Sequence, residues 1–349
     1  VQALAGVTIA DFSRVLAGPY ATMLLADLGA TVIKVERPGS GDDTRAWGPP
    51  YVGDDSTYFL GLNRNKHLVS LDLGDPAARE LAEGADVVVE NFRPGTMARH
   101  GLGYEALSAV NPKLVYCSIT GFGQSSALPG YDLLVQAVGG LMSVTGTPES
   151  PTKAGVALVD VITGLHAMAG ILAALRHVTA TGEGQLVEVS LLSSLLSALV
   201  NQSAAYVMAD VVPTAMGNAH PSVVPYSVFN ASDRPIVLAV GNDKQFAALC
   251  WALGIPEDPR FATNTLRVQH QDVLTAVINA RLSTREAAHW CVKLTEAGVP
   301  CGPINSIAEA VDLASEVGLS PVVSIDGLRH VANPISLSRT PAEYRSNPT

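Results

Sequence analysis

Short apolar runs alternate with helical periods through the first half of the chain, and that alternation predicts a parallel sheet joined by crossover helices. Val7 to Phe12 reads as a buried strand, Gly18-Pro19 opens a helix from Tyr20 to Leu28, Gly29 ends it, and Thr31 to Glu36 forms a second strand. Further strands are expected at Leu68 to Leu73, Val87 to Glu90, Leu114 to Ile119 and Leu186 to Ser190. The crossover between the third and fourth, with a helix from Pro76 to Glu83, is near the minimum for a parallel connection. Helical periods follow over Leu133 to Leu141, Val161 to His177, and from Ser190 to near Ala209.

The pattern changes after Met208. Val212-Pro-Thr, Gly217-Asn-Ala-His-Pro221 and Pro225 crowd turn residues together, as a linker does. An antiparallel hairpin is expected next, Tyr226 to Asn230 against Ile236 to Val240, followed by helices over Lys244 to Leu253, Val268 to Leu282, Arg285 to Ala297 and Ile307 to Glu316. The result is an α/β domain, then a separate α+β domain, with residues 322–338 returning to the first.

Composition narrows the class. Hydrophobic residues make up 48% of 349 positions and charged residues 15%, which suits a large core and argues against disorder. A formal net charge of −10 disfavours a nucleic-acid groove. The four cysteines have no metal-ligand spacing, and the apolar stretch Leu191 to Val200 is too short to span a bilayer. The opening residues show no signal pattern, so a cytoplasmic protein with free thiols, away from membranes, is expected.

The first strand–helix–strand unit resembles that of a Rossmann fold, but Ser13-Arg-Val-Leu-Ala-Gly-Pro19 carries one Gly where the dinucleotide fingerprint needs three. A nicotinamide or flavin is therefore disfavoured. Polar loops at the carboxyl ends of strands are the expected ligand edge: Glu36 to Arg45, Glu90-Asn-Phe-Arg-Pro-Gly95, Thr120-Gly-Phe-Gly-Gln124 and Pro129-Gly-Tyr-Asp132.

One carboxylate stands out. Asp160 has no acidic neighbour for about ten residues on either side and lies among Val, Ile, Leu, Ala and Gly. An ionised group in such a run must be paired, shifted in pKa or used. It reads either as the N-cap of the helix starting at Val161 or as a nucleophile facing a cleft, its anion stabilised by the helix dipole. Arg14, Lys34, Lys153, Arg176 and Lys244 are expected at the surface, His166 in the core, and His100 and His220 in loops.

Together, Asp11-Phe-Ser-Arg-Val-Leu-Ala-Gly-Pro19, Gly29 to Glu36, Glu90 to Gly95, Thr120 to Gly123, Asp160 with Gly164, Gly217-Asn218 and Gly298-Val-Pro-Cys-Gly-Pro303 resemble the family III CoA-transferases and the related α-methylacyl-CoA racemases. The resemblance implies an α/β fold: a Rossmann-like large domain over 1–205 completed by 325–349, and a linker and small α+β domain over 206–324. It also implies a homodimer of interlocked ring-shaped subunits. The activity implied is transfer of CoA from an acyl-CoA donor to a carboxylic acid acceptor, with Asp160 as nucleophile and CoA as substrate, no tightly bound cofactor and no metal.

By the same resemblance, Val15, Leu16 and Ala17 line the CoA channel and Arg37 meets the phosphate of the adenosine end. Leu71, Leu73, Asn91, Phe92 and Arg99 contact adenine and pantetheine, and Tyr131 and Asp132 bind CoA near the active site. Leu16 and Pro129 stand where the formyl-CoA enzyme of the family has Gln and Lys. A racemase needs a His/Asp pair, and the place of that His is Tyr131, a poor base at neutral pH. A catalytically inert CoA-binding homologue is the remaining alternative.

Overall fold

The computed structural model describes residues 1–349, which divide into two compact units. The first comprises residues 1–142, 153–213 and 319–349; the second comprises 143–152 and 214–318. These limits differ from the expected 205/206 and 324/325. The helical segment after Ser190 runs on to Ala209, and residues 146–147 form a short ladder with 150–151 that clusters with the second unit.

Six strands build the sheet of the first unit: β1 (Thr8–Asp11), β2 (Thr31–Glu36), β3 (Lys66–Ser70), β4 (Val87–Glu90), β5 (Val115–Thr120) and β6 (Gln185–Ser190). All neighbours are parallel and the order is β3-β2-β1-β4-β5-β6. This is the doubly wound order, in which the connections reverse direction between β1 and β4 and leave a crevice beyond their carboxyl ends. Both faces are covered: Val87, Val88 and Val89 are fully buried, as a continuous β-branched run predicts.

Helix α1 (Ala17–Asp27) and the long helix α2 (Leu158–Thr181) cover one face together. They approach closely at Gly164, where an added Cβ would lie 2.6 Å from the carbonyl oxygen of Ala17. Helix α2 is also long and apolar enough to cross a membrane by length and composition, a property the reading of residues 191–200 did not consider. Its inner face, including Val159, Thr163, Ala167 and Ile171, is packed against this core. Two further helices, α3 (Leu191–Ala198) and α4 (Val200–Ala209), meet at an 87° bend, where one continuous helical segment was expected.

Beneath the sheet edge lies a layer of buried charge. Lys66 bonds Asp11 at 3.1 Å, Lys34 bonds Asp42 at 2.9 Å, and Arg64 bonds Asp27 at 2.7 Å, all essentially inaccessible to solvent. The surface position expected of Lys34 is therefore corrected: it is buried and paired with a carboxylate at contact distance. The returning tail is fastened to the same layer. Asn65 accepts from the N–H of Arg345 and donates to the Glu343 carbonyl, while Asn333 donates to Asp27.

In the second unit, strands β7 (Tyr226–Asn230), β8 (Pro235–Ala239) and β9 (Cys301–Pro303) form an antiparallel sheet. It packs with helices around Phe229, Ile236, Leu238, Leu249, Leu274 and Leu294. The strand at Cys301 is not among the expected elements. All four cysteines are free.

Candidate active site

The loop that leaves β1 at the crevice is fastened on several sides. Residues 13–15 leave β1 with Val15 at φ +67°, a left-handed conformation that is costly for a β-branched residue. Three groups fasten it: Lys34 Nζ donates to the Ser13 carbonyl at 2.9 Å, and the Asp42 carboxylate accepts from the Val15 N–H. The Asn91 amide both accepts from the Arg14 N–H at 2.8 Å and donates to the Arg14 carbonyl at 2.7 Å. Burial alone would raise the pKa of Asp42. The Lys34 ammonium and the Thr44 N–H outweigh it and hold the carboxyl below its usual range.

Two cavities open here. The first, about 220 Å³, is walled by Val15, Leu16 and Ala17, by Asn91 and Phe92, by Thr120, Gly121 and Gly123, by Tyr131 and by Asp160. A Cβ on Gly121 would lie 2.4 Å from the Gly130 Cα, so the tight crossing of these loops requires glycine. The second, about 410 Å³, is walled by Arg37, Leu71, Leu73, Phe92 and His100. The structure thus brings together most of the expected site residues. Arg99 and Asp132 lie outside both linings, the Arg99 guanidinium bonded to Thr96 at 3.2 Å. Asn91 lines the first cavity, but its amide is committed to the Arg14 backbone.

Asp160 is the third residue of α2, not its N-cap, because the helix starts at Leu158. The capping is done from another helix: Asp132 Oδ1 accepts from the N–H of Val159 at 2.8 Å and of Asp160 at 3.2 Å. Gln136 steadies this carboxylate with a 2.6 Å bond to its other oxygen. No protein group donates to the Asp160 carboxylate itself. Burial first, then the nearby charge of Asp132, push its pKa up to about 7. Desolvation and Asp132, which occupies the positive end of the helix, thus act against the anion that the helix dipole favours.

Several neighbours escaped the sequence. The phenol of Tyr58, pushed up to about 12 by burial and by Asp160, Asp132 and Asp42, stays a neutral donor. Arg14 places its guanidinium 4.7 Å from the Phe92 ring centroid and lines both cavities. His166 is on the exposed side of α2 instead of in the core, with Nδ1 3.0 Å from the Ser194 hydroxyl.

An unpaired carboxylate at the switch point of a doubly wound sheet, in a cavity walled by backbone, apolar and polar side chains, fits an active site at the ligand edge of the fold. A family model, CoA-transferase family III, matches residues 4–349. The chain is 44% identical over 320 residues to succinyl-CoA:glutarate CoA-transferase of Mus musculus, covering 88% of this chain and 73% of that protein. It is 42% identical over 370 residues to succinate–glutarate CoA-transferase of Agrobacterium fabrum, covering 98% and 91%. A solved CAIB/BAIF family protein from Brucella suis superposes with a TM-score of 0.90 at 39% identity, covering 100% of this chain and 96% of that one. The chain belongs to CoA-transferase family III and is a CoA-transferase.

Proposed function

We propose that the protein transfers CoA between carboxylic acids through covalent intermediates on Asp160. A carboxylate oxygen of Asp160 attacks the donor thioester carbonyl; the C–S bond breaks, giving a mixed acyl-aspartyl anhydride and CoA thiolate. The thiolate attacks the aspartyl carbonyl, releasing the donor acid and leaving an aspartyl-CoA thioester. The acceptor carboxylate then displaces the thiolate from that thioester to form its own anhydride. Attack of the thiolate on the acceptor's acyl carbonyl yields the new acyl-CoA and restores Asp160. The thiolate displaced in each half is reused and the donor acid leaves as its carboxylate, so atoms and charge balance without a net proton.

The observation that carries this reading is an Asp160 carboxylate without protein partners in the wall of the channel. A salt-bridged carboxylate would be a weaker nucleophile. Exchange of an α-proton is less well served: Tyr131 is exposed, and Asp132 is bound to the α2 backbone and Gln136. Succinyl-CoA and glutarate are the first substrates to test, as the named substrates of the two relatives.

The functional unit is read as a homodimer, with the interlocking implied by family resemblance. In support, Leu196, Val200, Tyr206, Val207 and Met208 leave an apolar surface along α3 and α4 exposed in the single chain. The test of the mechanism is direct. Hydroxylamine added during turnover should convert Asp160 to a hydroxamate detectable by mass spectrometry, and Asp160→Ala should bind CoA but transfer it at less than about a thousandth of the wild-type rate. An Ala variant retaining more than that would sink the covalent route.

A further inference from the structure

Coenzyme A presents its parts in a fixed order: 3′-phosphorylated nucleoside, 5′-diphosphate, pantetheine arm, thioester. The cavities have an order as well. One contains Asp160, where the thioester must react; the other has the apolar walls Leu71 and Leu73, with Arg37 and His100. The side chains common to both are Arg14 and Phe92. The anionic group of CoA that lies between nucleoside and pantetheine is the diphosphate.

We propose that Arg14 is the diphosphate-binding residue, gripping CoA where the two cavities join. This rests on the reading of Asp160 as the reacting end. Three features fit Arg14 for the task. Its backbone is clamped by Asn91 on both polar groups, so the side chain starts from a fixed point. The guanidinium lies over the Phe92 ring, an arrangement that leaves its N–H fork free at the edges. It also has no carboxylate bound to it: Asp42 is engaged by Lys34, and Asp43 by Arg37. A planar fork suits two phosphoryl oxygens. Arg37, tied at the outer rim to Ser40 and Asp43, is left for the 3′-phosphate at the far end.

Titration calorimetry of CoA and 3′-dephospho-CoA, with pantetheine as a competitive inhibitor of transfer, separates these roles. Arg14→Ala should weaken CoA and 3′-dephospho-CoA equally, by roughly ten- to a hundredfold, the size of one lost charge-assisted contact. Inhibition by pantetheine, which has no diphosphate, should be unchanged. Arg14→Lys, which keeps charge without the fork, should fall between and guards against a folding defect in the Ala variant. Arg37→Ala should weaken CoA but spare 3′-dephospho-CoA.

Equal loss of all three ligands in both Arg14 variants would make Arg14 a structural residue of the loop. Loss for CoA alone would move it to the 3′-phosphate. Unchanged CoA affinity with a selective loss of succinyl-CoA over acetyl-CoA turnover would assign it to the acyl carboxylate. Each of these results overturns the proposal while leaving the role of Asp160 intact. A wild-type protein that binds neither CoA nor its dephospho form would instead remove the reading on which it rests.

Discussion

At the scale of single residues, the site is shaped by two carboxylates with opposite fates. Asp132 is bonded to two N–H groups of α2 and to Gln136; Asp160, in the first turn of α2, has no such partners and has its pKa raised from 3.8 to about 7. The free-enzyme kcat/KM should therefore rise with pH through about 7 as the nucleophile ionises. Asp132→Asn keeps an oxygen for the helix N–H groups but removes the charge, so it should move that limb to lower pH. An unmoved limb would show that Asp132 acts only through the backbone. The same shift has a stability consequence of definite sign. A carboxyl whose folded pKa is raised favours the folded state fully below its unfolded pKa, and the contribution is lost as pH rises through about 7. Asp160→Asn should therefore raise Tm more at pH 8 than at pH 5, and equal gains at the two pH values would contradict a raised pKa.

At the scale of elements, the position of Asp160 depends on how α2 sits on α1. Gly164 follows the nucleophile by one helical turn and touches the Ala17 carbonyl, on the first turn of the helix whose entry loop walls the channel. Gly164→Ala cannot be absorbed by a flexible side chain, since the clash is with backbone. It should displace both walls and lower kcat at least about tenfold, although Ala is the better helix former by about 1 kcal/mol. Unchanged kinetics would show that the two helices can separate without consequence. Strand and helix patterns made most of this framework legible in the sequence: β2 and β4 fall at their expected limits, as does the helix Ile307–Glu316. What could not be read were side-chain contacts made once the elements and loops fold together. Lys34 looks like a surface cation until β2 is seen to carry it beneath Asp42. Asp160 looks isolated in sequence, yet Asp132 lies beside it because α2 is capped from another helix. Its helix also starts earlier than the periodicity placed it, because that cap is supplied by a distant residue.

At the scale of the whole molecule, the chain closes on itself through the buried layer around Asp27, Asn65 and Arg64, which fastens residues 333–345 to the first unit. In sequence, the second unit is inserted between parts of the first, and these contacts hold the last part of the first unit to the earlier ones. If the proposed dimer is interlocked, it can dissociate only when one of these closures opens. Dissociation and unfolding should then coincide: sedimentation should report a dimer at every dilution short of denaturation, and urea midpoints measured by tryptophan fluorescence and by sedimentation should agree. Asn65→Ala removes acceptors for the Arg345 and Ser346 N–H groups and the donor to Glu343, so it should loosen the closure. Loss of such buried bonds typically costs about 1–3 kcal/mol for each group left unsatisfied, and that loss should lower both midpoints together. An ordinary dimer would respond differently, releasing folded monomers on dilution alone. Recovery of active, folded monomers at low concentration would exclude the interlocked arrangement.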